Sequence, residues 1–188
     1  MKLAICNLES ISPYSQSRYH DTPKLNKKEQ PDDYRNRTWR EHLHYDKNGV
    51  VYIPPMTFKN CLSETAKFLS VQIPGKGKST YTKHFEAGVL VLEPCSLDIK
   101  KDDVEPESLF LPSDGIRGSG KRVIKTYPVI REWKTTCTFF VQDDVITRDV
   151  FEYHLQQAGT FIGIGRFRPR NNGFYGRFRL TNLEWTSD

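Results

Sequence analysis

Short apolar runs separated by long polar stretches divide this chain. Met1-Lys2-Leu3-Ala4-Ile5-Cys6-Asn7-Leu8-Glu9 reads as a first strand that ends near Ser12-Pro13. Val50-Val51-Tyr52-Ile53 is a β-branched run stopped by Pro54-Pro55. From about Thr57 to Ser70 the period changes: Phe58, Cys61, Leu62, Ala66 and Leu69 recur at helical spacing. Val89 to Ile99 reads as a strand apolar on both parities, which predicts a central place in a sheet. Tyr127 to Val141 is a long strand candidate carrying Trp133, Phe139 and Phe140. A second helix is predicted from about Arg148 to Ala158, with Thr147 as cap, Gly159 as stop, and a stripe of Val150, Phe151 and Leu155. A last strand runs from about Tyr175 to Trp185.

Polar insertions at about 13–49, 72–87 and 100–126 separate these elements. Strand, helix, strand, strand, helix, strand, with an extra strand ahead of the first helix, predicts an α+β fold: a single ferredoxin-like or RRM-like antiparallel sheet with two helices and long inserted loops. One domain over residues 1–188 accommodates all of it.

Composition narrows the function. The chain has 188 residues, 37% of them hydrophobic, and a formal charge of +5; its pI is about 9.0. That balance favours a polyanionic partner without the charge of a disordered basic tail. No segment reaches the length of a membrane span, and the N-terminus turns polar too early for a signal peptide. Cys6, Cys61, Cys95 and Cys137 are scattered without CxxC spacing, which points to buried free thiols in a reducing cytoplasm and away from structural zinc.

Gly163 to Arg179 carries the most chemistry. It holds Arg166, Arg168, Arg170, Arg177 and Arg179, no acidic residue, and the interleaved aromatics Phe167, Phe174, Tyr175 and Phe178. Guanidinium forks suit phosphate, aromatic faces suit bases, and Gly163, Gly165 and Gly176 permit close backbone approach. Asn172-Gly173 is a hairpin-turn signal. With both arms extended, the arginines would look outward and Phe174 and Phe178 would anchor the strands. The competing reading is a solvated, cation-rich edge hairpin marked by Pro169. Further positives stand where a strand could run: Lys59 and Asn60 on the first helix, Lys76 and Lys78 in the second insertion, Lys121 and Arg122 in the third.

Other motifs carry less. Gly115-x-x-x-x-Gly120-Lys121 is followed by Arg122 in place of serine or threonine, and by a β-branched run in place of a helix, so it does not make a nucleotide-triphosphate loop. His42-Leu43-His44 would place two imidazoles on one strand face, but no nearby cluster completes a metal site. Neither a metal nor another cofactor is expected.

Tyr52-Ile53-Pro54-Pro55-Met56-Thr57-Phe58-Lys59-Asn60, leading into a helix, resembles the strand-to-helix entry of the RAMP superfamily, the repeat-associated proteins of CRISPR systems. Gly159 through Arg179 is similar to that superfamily's glycine-rich loop and falls between the second helix and the final strand, in the same topological place. The likeness is greatest to the backbone subunits that coat guide RNA, although this chain is short for one and its loop is unusually rich in arginine and phenylalanine. The resemblance implies non-sequence-specific binding of single-stranded RNA or DNA, RNA favoured, with copies of itself or other CRISPR effector subunits as partners along the strand. No catalytic residue is assigned. Two alternatives stay open: a metal-independent endoribonuclease using one of His20, His42 or His84, and a mobile-element protein that mimics a backbone subunit and inhibits a CRISPR complex.

Overall fold

A computed structural model describes residues 2–116, 118 and 120–187. The fold is mixed α+β with antiparallel sheets, the largest of four strands. Its strands are β1 (Lys2–Ser10), β2 (Val50–Ile53), β3 (Val89–Val91), β4 (Cys95–Lys100), β5 (Glu105–Pro112), β6 (Arg122–Val129), β7 (Lys134–Val141) and β8 (Phe178–Ser187). The α-helices are α1 (Pro31–Thr38), α2 (Pro55–Leu69), α3 (Thr82–Gly88) and α4 (Arg148–Gln157). The main sheet has the order β3-β7-β1-β8, while β2 pairs with β4 and β5 with β6 in separate two-stranded sheets.

Alternation in β1 buries Ala4, Cys6 and Leu8 on one face. Register places Ala4 opposite Phe139 and Cys6 opposite Cys137, so the same face of β7 is apolar. Phe58, Cys61, Leu62 and Ala66 of α2, with Phe151 and Leu155 of α4, complete this core. Phe58 meets Phe178 edge-on at 5.5 Å between centroids, and Phe139 meets Phe151 at 5.2 Å. All four cysteines are free and buried. No helix among the described residues is long and apolar enough to cross a membrane.

Several expectations are corrected. Among the described residues there are three sheets rather than one, and four α-helices rather than two. The run Val89 to Ile99 breaks at Glu93-Pro94, since proline cannot donate to a ladder. Its first half, β3, is an edge of the main sheet and not a central strand. The run Tyr127 to Val141 likewise divides into β6 and β7. The stretch 100–126 contains β5 and the start of β6, and 13–49 contains α1 followed by a 3-10 turn, Trp39–His42. Arg117 and Ser119, in the segment between β5 and β6, lie outside the described residues.

Thr147 does cap α4, its hydroxyl accepting from the Val150 amide at 3.4 Å. Gly159 does not stop the helix. The chain runs on through a π-helical turn, Ala158–Ile162, because Gly159 lies flat against the Phe178 backbone; the left-handed stop is Gly163, at φ 69°.

Helix α4 also carries a buried imidazole. His154 is 1% exposed; its Nδ1 donates to the Val150 carbonyl at 2.7 Å, and its Nε2 is buried with no partner among the described residues. Burial holds its pKa below the ordinary histidine value. Below about pH 6.5 the unfolded chain therefore takes up a proton that the folded chain refuses, and stability falls by at most about 1.4 kcal/mol per pH unit from this one group. His154→Phe, which suits the neighbouring Phe85 and Tyr81 rings, should make the fall in Tm between pH 7 and pH 5 shallower; an identical slope would remove His154 as a cause.

Candidate nucleic-acid interface

Residues 163–177 join the π-helical turn to β8 without contributing a strand. The two arms around Asn172-Gly173 are not extended. Pro169–Asn171 forms a 3-10 turn, and Asn172 takes the left-handed conformation at φ 59°. Gly173 packs instead against the Phe167 backbone and has no positive φ, so the type I′ geometry, which needs it at both positions, is absent.

The segment takes its hydrogen bonds from the continuation of β1. Ile11 donates to the Arg177 carbonyl at 2.8 Å, Gly176 to Pro13 at 2.7 Å, and Arg166 to Ser15 at 2.9 Å. Within the segment, Ile164 donates to Gly176 at 3.0 Å and Tyr175 to Phe167 at 2.9 Å. Close approach of backbone to backbone explains the glycines. A Cβ on Gly176 (φ 76°) would strike the Ile164 carbonyl, and one on Gly163 would reach within 2.5 Å of Pro169 Cδ. Gly165 lies against Tyr14 and the Ser15 carbonyl. The missing side chains thus make room for the protein's own chain.

The cations are unequally engaged. Arg168 meets Glu64 of α2 at 2.9 Å, and Arg170 meets the other oxygen of that carboxylate at 3.1 Å while lying over Phe68. Arg179 is paired across the sheet with Glu9, which also receives Lys134 at 3.4 Å; the Arg179 hydrogen bond holds the Glu9 carboxyl below its usual range. Arg166 donates to the Gln16 carbonyl at 3.1 Å and lies 4.2 Å from the Tyr127 ring centroid. Burial lowers its pKa from a value so high that the guanidinium stays charged. Arg177 differs: its Nε is buried with no acceptor among the described residues.

The aromatics divide in the same way. Phe178 is in the core, and Phe167 packs on Tyr127 and Tyr175. The Tyr175 hydroxyl donates to Glu107 at 2.8 Å; burial, then that bond, push its pKa up to about 12. Phe174 alone of this group is freely presented, 63% exposed.

The remaining candidates are dispersed. Lys59 donates to Ser63 at 3.1 Å and to the Glu86 carbonyl at 2.6 Å, tying α2 to α3. Asn60 lines a surface groove with Glu64, Phe68 and Arg170. Lys76 and Lys78 are exposed in a turn closed by the Gln72–Thr80 bridge. Arg122 lies over Phe110 near the far end of the β5–β6 hairpin, with Lys121 beside it. That end is five residues, about 17 Å, from Glu107 and Tyr127, where the hairpin touches the glycine-arginine segment. Glu9, Glu64, Glu107 and the Ser15-Gln16 backbone are the partners that sequence reasoning missed. Glu64 did carry a signal, as the single acidic residue of α2.

No family model and no curated protein matches the chain. Among solved structures it is similar to a chain of a Type III-B Cmr-beta assembly, determined by cryo-EM bound to cognate target RNA, at 8% identity and a TM-score of 0.56. The likeness covers 99% of this chain and 61% of that one, so the chain spans about three fifths of its neighbour's length.

The crowding at Gly176 makes a stability prediction. Gly176→Ala adds a left-handed residue and a backbone collision, a loss of about 2 kcal/mol or more. Gly120→Ala, where a Cβ meets nothing within 4 Å, should leave the urea midpoint unchanged. Equal midpoints for the two variants would contradict the tight loop.

Proposed function

We propose that this protein binds single-stranded nucleic acid, RNA in preference, without sequence specificity, as a RAMP-like subunit of a CRISPR-type assembly. The observation that carries the proposal is Phe174. It is an exposed ring on an arginine-rich segment, next to the Tyr175 and Gly176 amides, which are bonded to Phe167 and Pro13. An exposed aromatic face on a segment with five arginines suits a base and its phosphate. Two further features support the reading. We take the order β3-β7-β1-β8, with α2 and α4, as the ferredoxin-like arrangement. The fold likeness is to a chain from an RNA-bound Cmr-beta assembly. In this reading β5–β6 and the first insertion flank the strand's path, and neighbouring copies or other effector subunits sit side by side along it.

Fluorescence anisotropy with labelled oligo-pyrimidine RNA and DNA of several lengths, across a salt series, tests the proposal. Wild-type binding should tighten with length and weaken with salt. Phe174→Ala should weaken binding by about 1–3 kcal/mol, the worth of one stacked base, with Tm unchanged. Absence of RNA and DNA binding at low salt would sink the proposal.

Glu64→Gln should act in the opposite direction. Releasing Arg168 and Arg170 from their shared carboxylate should steepen the salt slope by about 0.7–1.4, one or two phosphate contacts on a single strand. An unchanged slope would mean that neither arginine meets the strand.

A further inference from the structure

Beyond Ser15, the chain that supports the glycine-arginine segment enters a second concavity. Gln16 is 1% exposed and fully used: its side-chain amide donates to Tyr52 at 2.8 Å, its Oε1 accepts from the His44 amide at 2.6 Å, and its carbonyl accepts from Arg166. Two residues on, the Arg18 amide donates to the His42 carbonyl at 2.9 Å, and His42 Nδ1 donates back to the Arg18 carbonyl at 3.0 Å. This ladder opens into a groove of about 480 Å³ lined by Arg18, His20, Lys24, Tyr34, Arg35 and His42, with no carboxylate on its wall.

The positive groups there are incompletely satisfied. Glu41 stands 3.7 Å from Arg18, and Asp32 3.7 Å from Arg35, both beyond hydrogen-bond length. Lys24 has a carbonyl contact at 3.5 Å. The His20 ring meets His42 edge-on at 4.7 Å and lies nearly parallel to Tyr34, with 6.2 Å between centroids. Burial is the main cause that keeps His42 below its ordinary pKa, and the Arg166 and Arg18 charges act in the same direction. At the rim Tyr19 is 87% exposed, more than any other large hydrophobic or aromatic side chain among the described residues.

We propose that this groove takes one nucleotide of a single strand, its phosphate among Arg18, Lys24 and Arg35 and its base on the Tyr19 ring. The inference rests on the strand-binding reading above and gives the strand a second contact, continuous with the glycine-arginine segment through Arg166 and Gln16. The solvated-surface alternative accounts for each cation singly. It does not account for three of them with two imidazoles around one concavity whose wall lacks a carboxylate.

The test uses the full chain and a 4-thiouridine-containing oligouridylate. Lys24→Gln/Arg35→Gln changes rim residues and should leave Tm unaltered. It should weaken binding about tenfold at moderate salt and reduce the salt slope by about 0.7, one phosphate contact on a single strand. Tyr19→Ala should weaken binding at least about fivefold, and photo-crosslinks should map to residues 17–24. Wild-type binding that both variants retain in full, with no crosslink in 17–42, would overturn the groove and leave the Phe174 reading standing. A wild-type protein that binds no strand would overturn both.

Discussion

A segment that joins no sheet must still find partners for its backbone polar groups, and this requirement organises the molecule around residues 163–177. Strand β1 ends at Ser10, but its chain continues beneath the segment, and Ile11, Pro13 and Ser15 exchange hydrogen bonds with Arg177, Gly176 and Arg166. The segment is therefore held by the continuation of β1, an inner strand of the main sheet, with the π-helical turn at one end and β8 at the other. Rigidity comes from that accounting, and the glycines follow from it, since the chains approach too closely for a Cβ.

The charge pattern is less generous than the composition suggests. Five arginines without a local acid look like a cationic surface, yet three of them meet glutamates from elsewhere: Glu64 holds Arg168 and Arg170, and Glu9 holds Arg179. These pairs are only partly exposed, so the arginines reach solvent with their charge already met by a carboxylate. Arg166 is different. Its contacts with Gln16 and Tyr127 are built into the packing between the segment, the first insertion and the hairpin, and its loss would disturb structure as well as charge.

What local sequence controls was legible. The stripe Phe58–Cys61–Leu62–Ala66 marked α2, Val50–Ile53 marked β2, and Thr147 marked the start of α4. What depends on distant contacts was not. Gly159 looks like a helix stop until Phe178 is placed against it, and Asn172-Gly173 looks like a hairpin until Phe167 closes on Gly173. Val89 to Ile99 looks like one central strand, but Pro94 divides it and its halves join different sheets. At the candidate site the side chains were visible and their long-range partners were not: Arg168 and Glu64 are distant in sequence, as are Tyr175 and Glu107.

The exposed aromatics then gain meaning from their settings. A solvent-facing ring on a mobile loop needs no explanation. Phe174 and Tyr19 are instead presented from chain whose neighbouring amides are fixed, at Tyr175 and Gly176 in one case and at Arg18 in the other. Holding the backbone next to each ring does not bury the ring, since both side chains stay exposed. It does lower the entropy that a ligand must remove when it stacks. The stretch Ile11 through Arg18 leads into Tyr19 and hydrogen-bonds the segment that carries Phe174, and Gln16 ties it to Tyr52 and His44. A strand lying across both would meet a preformed surface anchored to an inner strand of the main sheet, and its grip would then be set by stacking and phosphate contacts rather than by ordering of the protein.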